Sequence, residues 1–217
     1  MKILLWILYC ICTSSICVLI TRIFAKKDEE LKKVHKNIDL IIMYTIVLLI
    51  QMLNIFLLKE QTLIKTFFLT LIINYLAVSS YTDQKIMQLF RMLNVIMLGI
   101  SAIFYACIFL TMTDAAGKWL VFMELLLSII VYCIAGIRHR CGIGDVFVLI
   151  ICELYAATTA DVVKFVNISI FLICGAIIIF SLINIKDMIK KNRTKKPFVL
   201  SIAIAFYIIM FSQCLYC

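Results

Sequence analysis

Proline occurs once in this chain of 217 residues, glycine six times, and charged residues make up only 15%. Set beside 65% hydrophobic residues and a mean hydropathy of +1.13, this scarcity of turn formers and charge excludes an ordinary soluble domain. Strict apolar/polar alternation is missing as well, which excludes a membrane β-barrel. No internal repeat, low-complexity tract or polar stretch of domain size interrupts the apolar pattern. Cysteine is not scarce, at ten, but it lacks the pairing of a disulfide framework or a zinc site. Most cysteines stand singly in apolar runs, where a free thiol behaves as a small hydrophobe. The one Cys-x-x-Cys pair, Cys214 and Cys217, has no second pair to complete a metal site. Acidic residues are few, 12 against 21 basic, and the excess of +9 is carried by short loops between apolar runs. That distribution fits membrane orientation and not nucleic-acid binding.

What is present is a succession of apolar runs. Eight can be traced: 3–21, 40–58, 63–81, 92–113, 119–137, 146–160, 165–185 and 198–217. Most approach the ~20 residues that cross a bilayer as a helix, and helices satisfy their own backbone in lipid. The chain is therefore expected to be an all-α membrane protein, one polytopic domain over residues 1–217 with about eight transmembrane helices. The first run is long, has no small-x-small cleavage site and is followed by Arg22, Lys26 and Lys27, so it reads as a retained helix. Loops 22–37, 82–91, 138–145 and 186–197 fall on one side by parity and hold sixteen of the 21 basic residues. The positive-inside rule puts that side in the cytoplasm and both termini outside.

The same parity matters for two acids. Asp83 ends the third run and Asp145 opens the sixth, two complete crossings later, so both fall at the cytoplasmic boundary. Gly142 and Gly144 remove side chains beside Asp145, permitting a tight turn or the close approach of another backbone. The sixth run is short, so the Gly142-Ile143-Gly144 segment is expected to enter the bilayer under protein cover. Two adjacent carboxylates cannot both ionise freely, so one can take a proton from water while the other donates to a carbonyl. Each aspartate could equally cap a helix at the water boundary.

Gly142-Ile143-Gly144-Asp145 matches the GxGD motif of membrane aspartic proteases, and Tyr81-Thr82-Asp83-Gln84-Lys85 resembles the first catalytic stretch of type IV prepilin peptidases. Lys-rich loop 186–196 leading to Pro197-Phe198-Val199-Leu200 is similar to that family's opening of its last helix. The resemblance covers nearly the whole chain. It implies an aspartic endopeptidase that uses Asp83 and Asp145, with Gly142 and Gly144 shaping the site and no metal or cofactor. It further implies a prepilin-like substrate with a short basic leader ahead of a hydrophobic helix, cut on the cytoplasmic side after a small residue, typically glycine. The plasma membrane and its lipid are the implied surroundings, and nucleic acid is not an implied partner. Leu89-Phe90-Arg91 replaces the family's apolar-Pro-Asn triplet, and Phe147 stands where lysine is common. The first cytoplasmic loop lacks the paired Cys-x-x-Cys motifs of the long bacterial forms, as in the short forms that process archaeal flagellin-like or tight-adherence pilins.

Two other readings stay open at this stage. Presenilin-like and signal-peptide peptidases share GxGD and an aspartate on a neighbouring span, but cut within the membrane. A non-enzymatic protein, either a degenerate relative or a small carrier using Glu124 and Glu153, is the other. Glu124 and Glu153 are expected at similar depth in structural hydrogen bonds. His139, between Arg138 and Arg140, reads as a solvated loop residue.

Overall fold

The computed structural model describes residues 2–27, 37–57, 63–138, 142–159, 162–185 and 196–215. These form eight helices and no strand among the described residues: α1 (Lys2–Lys27), α2 (Asn37–Leu57), α3 (Leu63–Ile86), α4 (Arg91–Thr111), α5 (Ala115–Ile137), α6 (Ile143–Thr159), α7 (Val162–Ile183) and α8 (Val199–Leu215). Five helices are long and apolar enough to cross a membrane, and α2 and α8 contribute shorter apolar stretches. Each of the eight expected runs corresponds to one helix. Residues 28–36, 139–141 and 186–195 and Cys217 lie outside the described residues, so His139 and the terminal Cys-x-x-Cys pair carry no structural statement.

The shortest membrane-crossing candidate by sequence becomes the centre of the bundle. Every residue of α6 from Val148 to Thr158 is buried, and the helix packs against α3, α4, α5, α7 and α8. A helix apolar on all sides belongs inside other protein, and α6 is such a helix. Around it the outer helices turn one stripe inward. In α1 that stripe is Trp6, Cys10, Ser14, Cys17 and Thr21; in α2 it is Leu40, Met43, Val47 and Gln51; in α4 it is Asn94, Met97, Ser101 and Tyr105. These positions recur every three or four residues, as one helix face must. Small and polar side chains gather on the inner faces, where helices approach closely and hydroxyls and amides find partners. Gln51 joins three helices this way, accepting from Thr13 and Ser14 at 3.0 Å and donating to Asn74 at 3.1 Å. The outer faces carry Ile, Leu and Phe, with Leu110 80% exposed and Phe171 63%. Lipid is the solvent such a surface needs.

Helices α3 and α6 run in opposite directions and are tied at both ends. At one end, Lys65 of α3 donates to the Thr158 carbonyl of α6 at 2.6 Å, satisfying an acceptor that the helix terminus leaves open. At the other end lie Asp83 and Asp145. There α3 stops at Ile86, and Met87 takes φ +53°, a left-handed conformation in which its N–H reaches the Asp83 carbonyl at 2.9 Å. That turn sends the chain through Leu89 and Phe90 into α4.

Candidate active site

The site begins with two helix ends that differ from the sequence expectation. Residues 82–86 were expected in a loop but continue α3, so Asp83 projects from its last turn. Ile143 and Gly144 are likewise helical, which puts Asp145 in the first turn of α6 and not ahead of it. Polar residues at the wet end of a span are as able to be helical as apolar ones, and here they are.

Asp145 closes its own helix. Its Oδ2 accepts the Gly142 N–H at 3.0 Å, while the Val146 N–H reaches the Gly142 carbonyl at 3.2 Å. With Gly142 as N-cap, Asp145 is the third helical residue, the position from which an acidic side chain reaches back in a capping box. Gly142 has a steric reason: a Cβ there would stand 3.0 Å from the same Oδ2.

Asp83 closes a different helix. Its Oδ2 accepts the N–H groups of Phe198 at 2.8 Å and Val199 at 3.0 Å, at the start of α8. Pro197 immediately before has no N–H and a fixed φ, so the first donors this helix can offer are those two. A carboxylate against a helix N-terminus also meets the positive end of the helix dipole. Asp83 is 8% exposed and Asp145 half-buried.

Gly144 brings the two halves together. A Cβ on it would lie 2.6 Å from Leu89 Cδ1 and 3.2 Å from Leu89 Cβ, so the turn after α3 packs directly on the first turn of α6. The carboxylates are close enough that the Asp83 charge raises the proton affinity of Asp145. Burial is the larger cause, the Gly142 N–H opposes it, and the Asp145 carboxyl is pushed up to about 6. Both caps use Oδ2, and no hydrogen bond to either Oδ1 is seen among the described residues. Both acids are thus oriented by backbone donors, Asp145 by Gly142 and Asp83 by Phe198 and Val199.

Phe90 precedes α4 as its N-cap and Arg91 is the exposed first residue of that helix. Phe147, two residues past Asp145, is half-buried. Sequence reasoning singled out Leu89 only as a departure from a motif; its contact with Gly144 is what the structure adds. The Lys85–Asp39 ion pair, 2.7 Å across α3 and α2, was missed for lack of any local signal.

Glu153 is fully buried in α6 and accepts from Tyr132 of α5 at 2.5 Å and Ser169 of α7 at 2.6 Å. It ties three helices in a hydrogen-bonded clamp. Its level on α5 is Tyr132, eight residues beyond Glu124, or ~12 Å along the helix. Glu124 and Glu153 are thus at different depths, correcting the expectation that they share one. Among the described residues, no group of three His, Cys, Asp or Glu side chains converges where a metal ion could be held.

No family model, no curated protein and no solved structure matches this chain.

Proposed function

We propose that the chain is a membrane aspartic endopeptidase, resembling the type IV prepilin peptidases, that removes the short basic leader of a prepilin-like protein. The observation that carries this reading is the placement of Asp83 and Asp145: aspartates from two helices, each fixed by backbone N–H donors, on turns that pack together where Leu89 meets Gly144. A paired, pre-oriented carboxylate site of this kind suits general acid–base hydrolysis. One carboxylate takes a proton from water as its oxygen attacks the scissile carbonyl. The other, protonated, donates to the carbonyl oxygen. Collapse of the tetrahedral intermediate breaks the C–N bond, and the leaving amine takes up a proton from the pair. The dyad titrates as a unit, so base and acid exchange roles over the cycle.

The distribution of basic residues gives the rest of the reading. The site faces the cytoplasm of a plasma-membrane protein whose termini lie outside. The hydrophobic segment of such a substrate lies in the same bilayer as the bundle.

The hydrogen bonds at 2.8 and 3.0 Å also favour a second reading, in which the aspartates act only as helix caps of a non-enzymatic membrane protein. Reconstitution of the purified chain with a prepilin-type substrate separates the possibilities, with the products identified by mass. A cut at the leader boundary is the expected result. A cut inside the hydrophobic segment points to a presenilin-like activity, and an intact substrate to the capping reading.

A further inference from the structure

A groove of about 250 Å³ lies between α1 and α2, toward the end of the bundle to which the basic loops belong. Val18 of α1 and Leu40 and Ile41 of α2 make its apolar walls, and Arg22 and Tyr44 bring a guanidinium and a hydroxyl to it. Arg22 stands five residues before the end of α1 and Leu40 three residues after the start of α2, so the mouth falls about 5–8 Å inside the helix ends. From Arg22 to Ser15 the groove follows α1 for seven residues, ~10 Å, or about two thirds of the hydrocarbon of one leaflet. Helical side chains tilt toward the N-terminus of their own helix, and α1 and α2 are antiparallel here. Arg22 thus leans inward over Val18 while Tyr44 leans outward to the mouth, and the two polar ends converge.

The basic side chains at this mouth lack an anion. Arg22 and Lys26 are exposed, lie one turn apart on the same face of α1, and make no ion pair or hydrogen bond with any of the described residues. Like charges at that spacing repel. The acid at the start of α2, Asp39, is held instead by Lys85 of α3 at 2.7 Å. The Tyr44 hydroxyl is likewise without a hydrogen-bond partner among the described residues. An inorganic anion satisfies these three groups but not the apolar walls below them. A phospholipid satisfies both, with a phosphodiester that an arginine can grip through two N–H groups and a chain that fills the walls. Basic pockets between membrane helices select anionic headgroups, because the cation of a zwitterionic headgroup is repelled.

We infer that this groove holds one anionic phospholipid, its phosphodiester on Arg22, Lys26 and the Tyr44 hydroxyl and one acyl chain along Val18 and Ile41. Bound there, the lipid joins α1 to α2 at the end of the bundle where the charges of α1 have no protein partner among the described residues. The inference stands on the groove and its cations and does not depend on the peptidase reading.

The test titrates the full-length protein, in a nonionic detergent, with phosphatidylglycerol or phosphatidylcholine and counts bound lipid by native mass spectrometry. One phosphatidylglycerol per chain is expected to be held at least about tenfold more tightly than phosphatidylcholine. Arg22→Gln/Lys26→Gln and the groove-filling Ile41→Trp should each weaken it by at least about tenfold at unchanged helix content. Arg91→Gln/Arg138→Gln removes the same charge elsewhere at that end of the bundle and should leave it within about twofold. Equal affinity for the two lipids, equal loss in the Arg91/Arg138 variant, or no loss in either groove variant overturns the inference. Full competition by an equal concentration of glycerophosphoglycerol, the headgroup without chains, overturns it in favour of a soluble anion. The lipid comparison and the headgroup competition use the parent protein, so they decide the matter even where a variant fails to fold.

Discussion

Asp83 Oδ2 accepts the Val199 N–H at 3.0 Å across 116 positions of sequence. Together with the Phe198 N–H at 2.8 Å, this contact makes the last turn of α3 the cap of α8. The acid is thereby oriented by a helix it does not belong to. Asp83→Ala removes the oxygen that accepts both N–H groups and is expected to destabilise the protein by about 2–4 kcal/mol. Asp83→Asn keeps a side-chain oxygen and should stay within about 1 kcal/mol of the parent. Reversible denaturation in mixed micelles measures both; equal stabilities for the two variants would show that the contact does not hold α8.

Gly144 and Leu89 form the seam between the acid-bearing turns. A methyl group on Gly144 meets Leu89 carbons at 2.6 to 3.2 Å, so Gly144→Ala is expected to cost about 1–3 kcal/mol through overpacking. Leu89→Ala opens that space. The double variant should recover about 1 kcal/mol or more relative to the sum of the singles, read from a double-mutant cycle on unfolding free energies. Strict additivity would place the seam elsewhere.

The fold was largely legible in the residues, and the places where legibility stopped have physical reasons. Eight apolar runs bounded by charge became eight helices because lipid leaves an extended backbone no alternative. Helix ends were misjudged where polar residues stayed helical, at Thr82 to Lys85, and where Gly144 was taken as a loop former although its missing Cβ makes room for Leu89. The inner faces were harder to see, because a helix with lipid outside and protein inside is apolar on both. Ser14, Gln51, Asn94 and Ser101 mark the inner side only in retrospect. Asp83, Asp145, Gly142 and Gly144 stood out by type and topology. Their partners at Phe198 and Val199 did not, since no local pattern links an acid to backbone N–H groups more than a hundred residues away.

Glu153 binds Tyr132 and Ser169 and so joins α5, α6 and α7. Glu153→Leu conserves approximate volume but strands two buried hydroxyls, with an expected cost of about 1–3 kcal/mol. Glu153→Gln retains an acceptor and should lose about 1 kcal/mol or less. Cleavage per folded molecule is expected to be unchanged in Glu153→Gln. A rate lost without loss of stability would instead make Glu153 part of the chemistry.

Asp145 carries the pH dependence. Burial first, and the Asp83 charge after it, raise its carboxyl from 3.8 to about 6 in the folded protein. The folded state therefore holds a proton that the unfolded chain releases earlier, and stability should fall as pH rises from about 4 to 6, then level off. Asp145→Asn removes this contribution and should flatten that part of the profile in thermal unfolding scans. For hydrolysis, loss of the shared proton above about 6 should lower the cleavage rate on the alkaline side. A rate that climbs steadily through pH 8 would speak against a proton-sharing pair.

The pairing itself is tested most directly by leader removal. Purified parent, Asp83→Asn and Asp145→Asn proteins, matched for helix content, are incubated with a prepilin-type substrate in vesicles and the product is quantified by mass. Cleavage by the parent is expected, with a loss of at least about a thousandfold in each single variant and no further loss in the double, because the two acids work as one unit. Undiminished cleavage in either single variant would contradict the paired-aspartate site.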